Sequence, residues 1–140
     1  FNKIHKLSKF KIMKIKVSNG ELIDKLTILE IKMSKITDLD KLNNIRNEWE
    51  LLSPKVDKVY SNVTVEGLAD LQQDLYNVNL TLWNIEDQIR ECERNESFGE
   101  DFIELARSVY YQNDERSQIK KEINILTCSS IVEEKSYEVY

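Results

Sequence analysis

At 140 residues, 41% hydrophobic and 32% charged, the chain can build one domain with a real core but not two. Three glycines and one proline favour a few long elements over many short strands, and no apolar run approaches the roughly 18 residues of a membrane span. The net charge of −5 is unevenly spread: residues 1–17 hold six lysines and no acid, which leaves a strongly acidic body and speaks against nucleic acid as a partner.

Residues 1–12, FNKIHKLSKFKI, read as an extension or basic leader outside the domain, with Ile4, Leu7 and Phe10 on one side. Residues 13–140 are expected to form a single helical-bundle domain. Met13, Ile15 and Val17 alternate with lysines, which predicts a short extended arm. Ser18 and Glu21 have the spacing of a capping box and open a first helix that runs to about Ile36. Leu22, Leu26, Leu29, Met33 and Ile36 form its seam. Ile23, Ile28 and Ile31 widen the apolar face, so contact from two sides is expected.

Thr37 and Asp38 supply a break and the next N-cap. The second helix carries Leu42, Ile45, Trp49 and Leu52, and Pro54 is expected to interrupt it and start a new one. A loop follows from Tyr60 to Val63, and Thr64 is expected to cap a third helix from Val65 to Glu93. That helix carries Leu71, Leu75, Val78, Leu82, Ile85, Ile89 and Cys92, spaced alternately four and three. So regular a stripe predicts the segment around which the rest packs.

Asn95 to Gly99 form a turn, and a fourth helix runs from Glu100 to Leu126. Its seam is Leu105, Val109, Gln112, Arg116, Ile119, Ile123 and Leu126. The tail from Thr127 to Tyr140 is expected to lie across the bundle, led by Ile131 and Val132. The fold class is therefore all-α, an antiparallel bundle of four main helices with a short extended arm and a C-terminal tail.

Arg116 is the informative anomaly. A guanidinium on a core-facing position costs several kcal/mol unless it is paired, so a partner is demanded, and Glu86 and Asp87 are the expected ones. With Gln112, Asn113 and Asp114 beside it, the cluster reads either as an ion-pair network fixing helix register or as a polar pocket between helices. Adjacent carboxylates such as Glu86 and Asp87 can hold a cation or act as acid and base. Glu21, Asp24 and Glu30 on the first helix suggest the paired acids of all-helical nucleotide pyrophosphatases. The second pair, however, lacks its spacing: Glu86 has Ile89 at i+3 and Arg90 at i+4, the pattern of a surface ion pair.

Trp49, Trp83, Tyr110 and Tyr111 could stack on a ring or simply pack between helices. The sole histidine, His5, lies in the leader, and Gly20, Gly67 and Gly99 are isolated, so no phosphate loop exists. Cys92 and Cys128 lack CxxC spacing and are expected as buried or half-buried free thiols of a cytoplasmic protein. No metal or cofactor is expected. The candidate polar site comprises Glu86, Asp87, Arg90, Tyr110, Asn113, Asp114 and Arg116.

Four runs carry a resemblance: VSNGELIDKLTILEIK (Val17 to Lys32), LWNIEDQIRECE (Leu82 to Glu93), FIELARSVYYQNDERSQIKKEIN (Phe102 to Asn124) and EEKSY (Glu133 to Tyr137). Together they resemble an uncharacterised family of small helical proteins of bacteria, phages and large viruses, often encoded near glycosyltransferase and surface-polysaccharide genes. The resemblance implies a domain starting at Met13 and a link to glycan assembly, and it transfers no catalytic residue.

Two functions compete on this reading. A noncatalytic accessory protein, binding a protein partner or itself, would have its charges mutually paired or spread over solvent. A small-molecule or nucleotide-sugar binder or enzyme would bring them together in an open cleft. Without a nucleophile or a metal-ligand cluster, the noncatalytic reading leads.

Overall fold

A computed structural model describes residues 12–63 and 66–140 of the chain. Four helices follow in order: α1 (Asn19–Lys35), α2 (Leu39–Ser61), α3 (Leu68–Arg94) and α4 (Glu100–Leu126), with no strand among the described residues. The fold is an all-α helical bundle. Residues 12–17 form an exposed extended arm, whereas the leader up to Lys11 lies outside the described residues, as do Thr64 and Val65.

Ser18 begins α1 as expected: its Oγ accepts from the Glu21 backbone N–H at 3.1 Å, meeting one of the donors that a helix start leaves unpaired. Gly20 is required two residues after that cap. A Cβ there would collide with the Lys120 carbonyl oxygen and come within 2.9 Å of Asn124 Oδ1, so only glycine lets α1 and α4 approach this closely.

The organising element is α1, not the long stripe of α3. Helix α1 packs against all three other helices, and Ile23, Leu26, Leu29 and Ile31 are buried along it. Length explains the difference. At about 1.5 Å per residue, the 27-residue α3 and α4 overhang the 17-residue α1 by roughly 15 Å. Leu75 and Val78 of the stripe are therefore buried, while Ile89 and Cys92 are only half-buried. The core joins Leu22, Ile23 and Leu26 to Val56 and Val59, to Leu68, Leu75 and Val78, and to Ile119 and Ile123.

Three local expectations fail for identifiable reasons. Helix α2, capped by Asp38, runs straight through Pro54. The carbonyl of exposed Glu50, which loses its donor to the proline, faces water on the outer side of the bundle. Helix α3 begins at Leu68 rather than Val65, because Gly67 holds a left-handed φ of 110° that ends the preceding loop. Cys128 is exposed rather than buried; it too has a left-handed φ, 52°, in the turn that closes α4.

The tail does cross α4, but charges lead it instead of Ile131 and Val132, which stay largely exposed. Glu133 accepts from Ser18 Oγ at 2.6 Å and from Asn124 Nδ2 at 3.0 Å. Glu134 pairs with Lys121 at 2.9 Å and Lys135 with Asp114 at 2.8 Å. The fully buried Asn124 completes the joint by accepting from the Gly20 N–H at 2.6 Å.

Candidate functional site

The polar centre of the bundle is Asp24, a carboxylate only 1% exposed on the face of α1 that meets α3 and α4. Helical spacing aligns it with Gly20, Thr27 and Ile31, so an acid lies in the middle of a buried stripe. Arg116 of α4 grips it side-on: Nε donates to Oδ1 at 3.0 Å and Nη2 donates to Oδ2. From α3, Asn79 Nδ2 donates to Asp24 Oδ1 at 2.8 Å and to Thr27 Oγ1 at 3.0 Å. Lys120 stands 3.8 Å from the same carboxylate and 2.5 Å from Glu21. The hydrogen bond to Asp24 holds Arg116 more firmly protonated than usual, against the opposing pull of burial.

Asp24 thus takes the place expected of Glu86 and Asp87 as partner of Arg116. Those two acids stand farther along α3, where the hairpin opens to solvent. Glu86 is instead bonded to Arg90, four residues on, across an exposed helix face. Such a pair contributes only a few tenths of a kcal/mol.

Arg116 also borders an open cleft of about 580 Å³ between α1, α3 and α4. Its apolar surface comes from Ile28 and Ile31 of α1, Leu82 of α3 and Val109 of α4. Trp83, Glu86, Asp87 and Arg90 line it from α3, and Asn113 and Arg116 from α4. Five of the seven candidate residues therefore share one cavity. Tyr110 and Asp114 do not. Tyr110 packs with Tyr111 and Tyr140, and Asp114 faces the tail, bound to Lys135 and to Tyr140 Oη at 2.7 Å. Lys135 and Tyr140 hold the Asp114 carboxyl below its usual range, and Asp114 pushes the Tyr140 phenol up to about 12. Trp49 lies against the core on α2.

Asp24 and Asn79 were within reach of the sequence. A helix apolar on two sides leaves little solvent face, so an acid flanked by Leu22, Ile23 and Leu26 has to be buried. Asn79, one turn after Leu75, occupies the buried side of its own helix in the same way. Asn124 gives no comparable signal, because its role depends on how closely α1 approaches.

Chemically the cleft offers an indole face, an apolar floor and both hydrogen-bond donors and acceptors. Among the described residues no three His, Cys, Asp or Glu side chains gather as a metal-holding group. A match to the family of unknown function DUF6165 spans residues 13–140. The chain belongs to that family. No curated protein and no solved structure matches it. In this DUF6165 member the match covers every described helix and the tail, so Asp24, Arg116 and the cleft all lie inside the family region. No described helix is long and apolar enough to cross a membrane.

Proposed function

We propose that this protein binds a small polar ligand carrying a ring, held in the cleft between α1, α3 and α4. One observation carries the reading: an open cavity of about 580 Å³ combines an apolar floor and one indole with a few converging charged and amide groups. Binding sites for small molecules have this size and this composition. A sugar fits the lining. Its C–H face packs on Trp83, while Glu86, Asp87 and Asn113 exchange hydrogen bonds with its hydroxyls. A noncatalytic protein that holds such a ligand agrees with a role in surface-glycan assembly. The test is a thermal-shift and tryptophan-fluorescence screen with sugars, nucleotides and nucleotide sugars. A shift abolished by Trp83→Ala and Asn113→Ala, with both variants folded, is the expected result. A shift unchanged in both variants, or no shift with any compound, sinks the proposal.

A second reading, a protein partner, is favoured by the overhanging end of the α3–α4 hairpin. Phe98 and Ile103 are each 51% exposed there. Residues 86–107 carry eight acidic side chains against three arginines, a balance of −5. A basic, amphipathic segment complements such a surface. Binding of a lysine-rich amphipathic peptide that survives Glu91→Lys with Glu104→Lys would rule it out.

A further inference from the structure

We infer that the ligand of the cleft is an anion, and that its acidic group sits on the outer edge of Arg116. This rests on the cleft being a binding site, and it adds the chemical class of what binds. A guanidinium has five N–H donors in a planar fork. Arg116 spends one edge, Nε and Nη2, on Asp24. Among the described residues Nη1 has no hydrogen-bond partner, yet it is not among the buried unpaired atoms, so it is open on that side. The side chain as a whole is 30% exposed, while its carboxylate partner is 1% exposed.

That geometry is more than neutralisation of a buried acid requires. Asp24 grips the guanidinium from behind and is itself fixed by Asn79, so the free edge is aimed before any ligand arrives. What the free edge faces is a junction. A second cavity of about 480 Å³ lies between α4 and the tail, and it shares Val109, Asn113 and Arg116 with the cleft. This second cavity adds Lys120 and Lys135 together with Asp114 and Glu134, and these charges are already paired, Lys120 with Glu21, Lys135 with Asp114 and Glu134 with Lys121. Of the two acids in the cleft, Glu86 is already engaged by Arg90. The ligand therefore places its ring beside Trp83 and its carboxylate or phosphate over Arg116. Charge-assisted hydrogen bonds from such a fork are about twice as strong as neutral ones.

The experiment titrates the full chain with glucose, glucuronate and glucose 1-phosphate, and with inorganic phosphate alone, by calorimetry and tryptophan fluorescence. At least one acidic sugar is expected to bind about tenfold more tightly than glucose. The two acidic forms separate a carboxylate ligand from a phosphate one. Arg116→Lys keeps the charge beside Asp24 but loses the fork, and it is expected to bring the acidic sugar down to the level of glucose. Asn113→Asp, of nearly the same shape, sets a carboxylate at the junction and is expected to weaken the acidic sugar about tenfold more than it weakens glucose. It decides the matter should Arg116→Lys fail to fold. Glucose binding as tightly as its acidic forms overturns the anion assignment and leaves the cleft reading standing. Binding of none of the four overturns both.

Discussion

Toward its C-terminal end α4 buries Ile119, Ile123 and Asn124 and is bonded by side chains from distant parts of the chain, whereas from Glu100 to Arg107 none of its residues is buried. The part of the bundle where α1, α3 and α4 meet tolerates polar groups inside because each finds a partner. Asn124 serves both Gly20 and Glu133, and Arg116 and Asn79 share Asp24. From Glu100 to Arg107, Phe102 and Leu105 are only half-buried and the acids stand in solvent. Polar groups here follow the number of elements that meet, not the hydrophobicity of the stripe they interrupt. The cleft opens where one regime passes into the other.

Arg116→Met is the strongest way to test that contrast. The substitution leaves the Asp24 carboxylate with Asn79 and a lysine 3.8 Å away, short of the compensation a buried charge needs. Removing one member of a buried pair costs about 3 kcal/mol. Urea unfolding followed by circular dichroism should show a loss of that order, and Asp24→Asn in the same background should restore part of it. A loss no larger than that of an exposed arginine such as Arg90→Met would mean that the node contributes nothing to stability.

The same contrast explains what the sequence allowed to be read. Spacing along one helix is a local property, so the Ser18 cap, the Asp38 cap and the limits of α4 at Glu100 and Leu126 follow from it directly. Five residues of the cleft follow too, because charged positions next to an apolar seam must border whatever opens beside it. The partner of Arg116 is a property of how two helices dock. Helix counting put Glu86 and Asp87 opposite it, but α1 inserts its own face there and brings Asp24. Pro54 misleads for a related reason. A proline ends a helix when the freed carbonyl has nowhere to go, and on the outer side of α2 it has water.

The tail latch should be the next largest effect, and it is pH-dependent. Burial works to raise the Glu133 carboxyl. Hydrogen bonds from Ser18, its own backbone N–H and Asn124, with Lys120 nearby, outweigh that and hold it below its ordinary 4.5. A carboxyl lowered in the folded state stabilises fully above its unfolded value and loses that contribution as pH falls through the folded one. The Glu133 latch is thus intact above about pH 4.5 and releases below it, and the hold of Asp114 on Lys135 and Tyr140, its carboxyl lowered from 3.8, is likewise complete above about pH 3.8 and lost below it. Amide exchange over residues 127–140 should therefore accelerate in acid before α1 and α4 lose protection. Glu133→Gln should make the tail exchange faster already at neutral pH. Tail protection that stays constant down to the global transition would show that the charges do not hold it.

The smallest stability change belongs to the overhanging hairpin. Ile103 lies on α4 eight residues before Tyr111 and is half exposed. Burial is what makes an isoleucine matter, so Ile103→Ser should change unfolding free energy by less than about 0.5 kcal/mol, whereas Ile123→Ala, at a fully buried position of the same helix, should cost about 2–5 kcal/mol. Urea titration of both variants decides it, because the two positions share a helix and differ in burial. Equal losses would mean that the hairpin end is covered in solution by something this chain does not itself provide, and that would turn attention from the cleft to a partner on the acidic end.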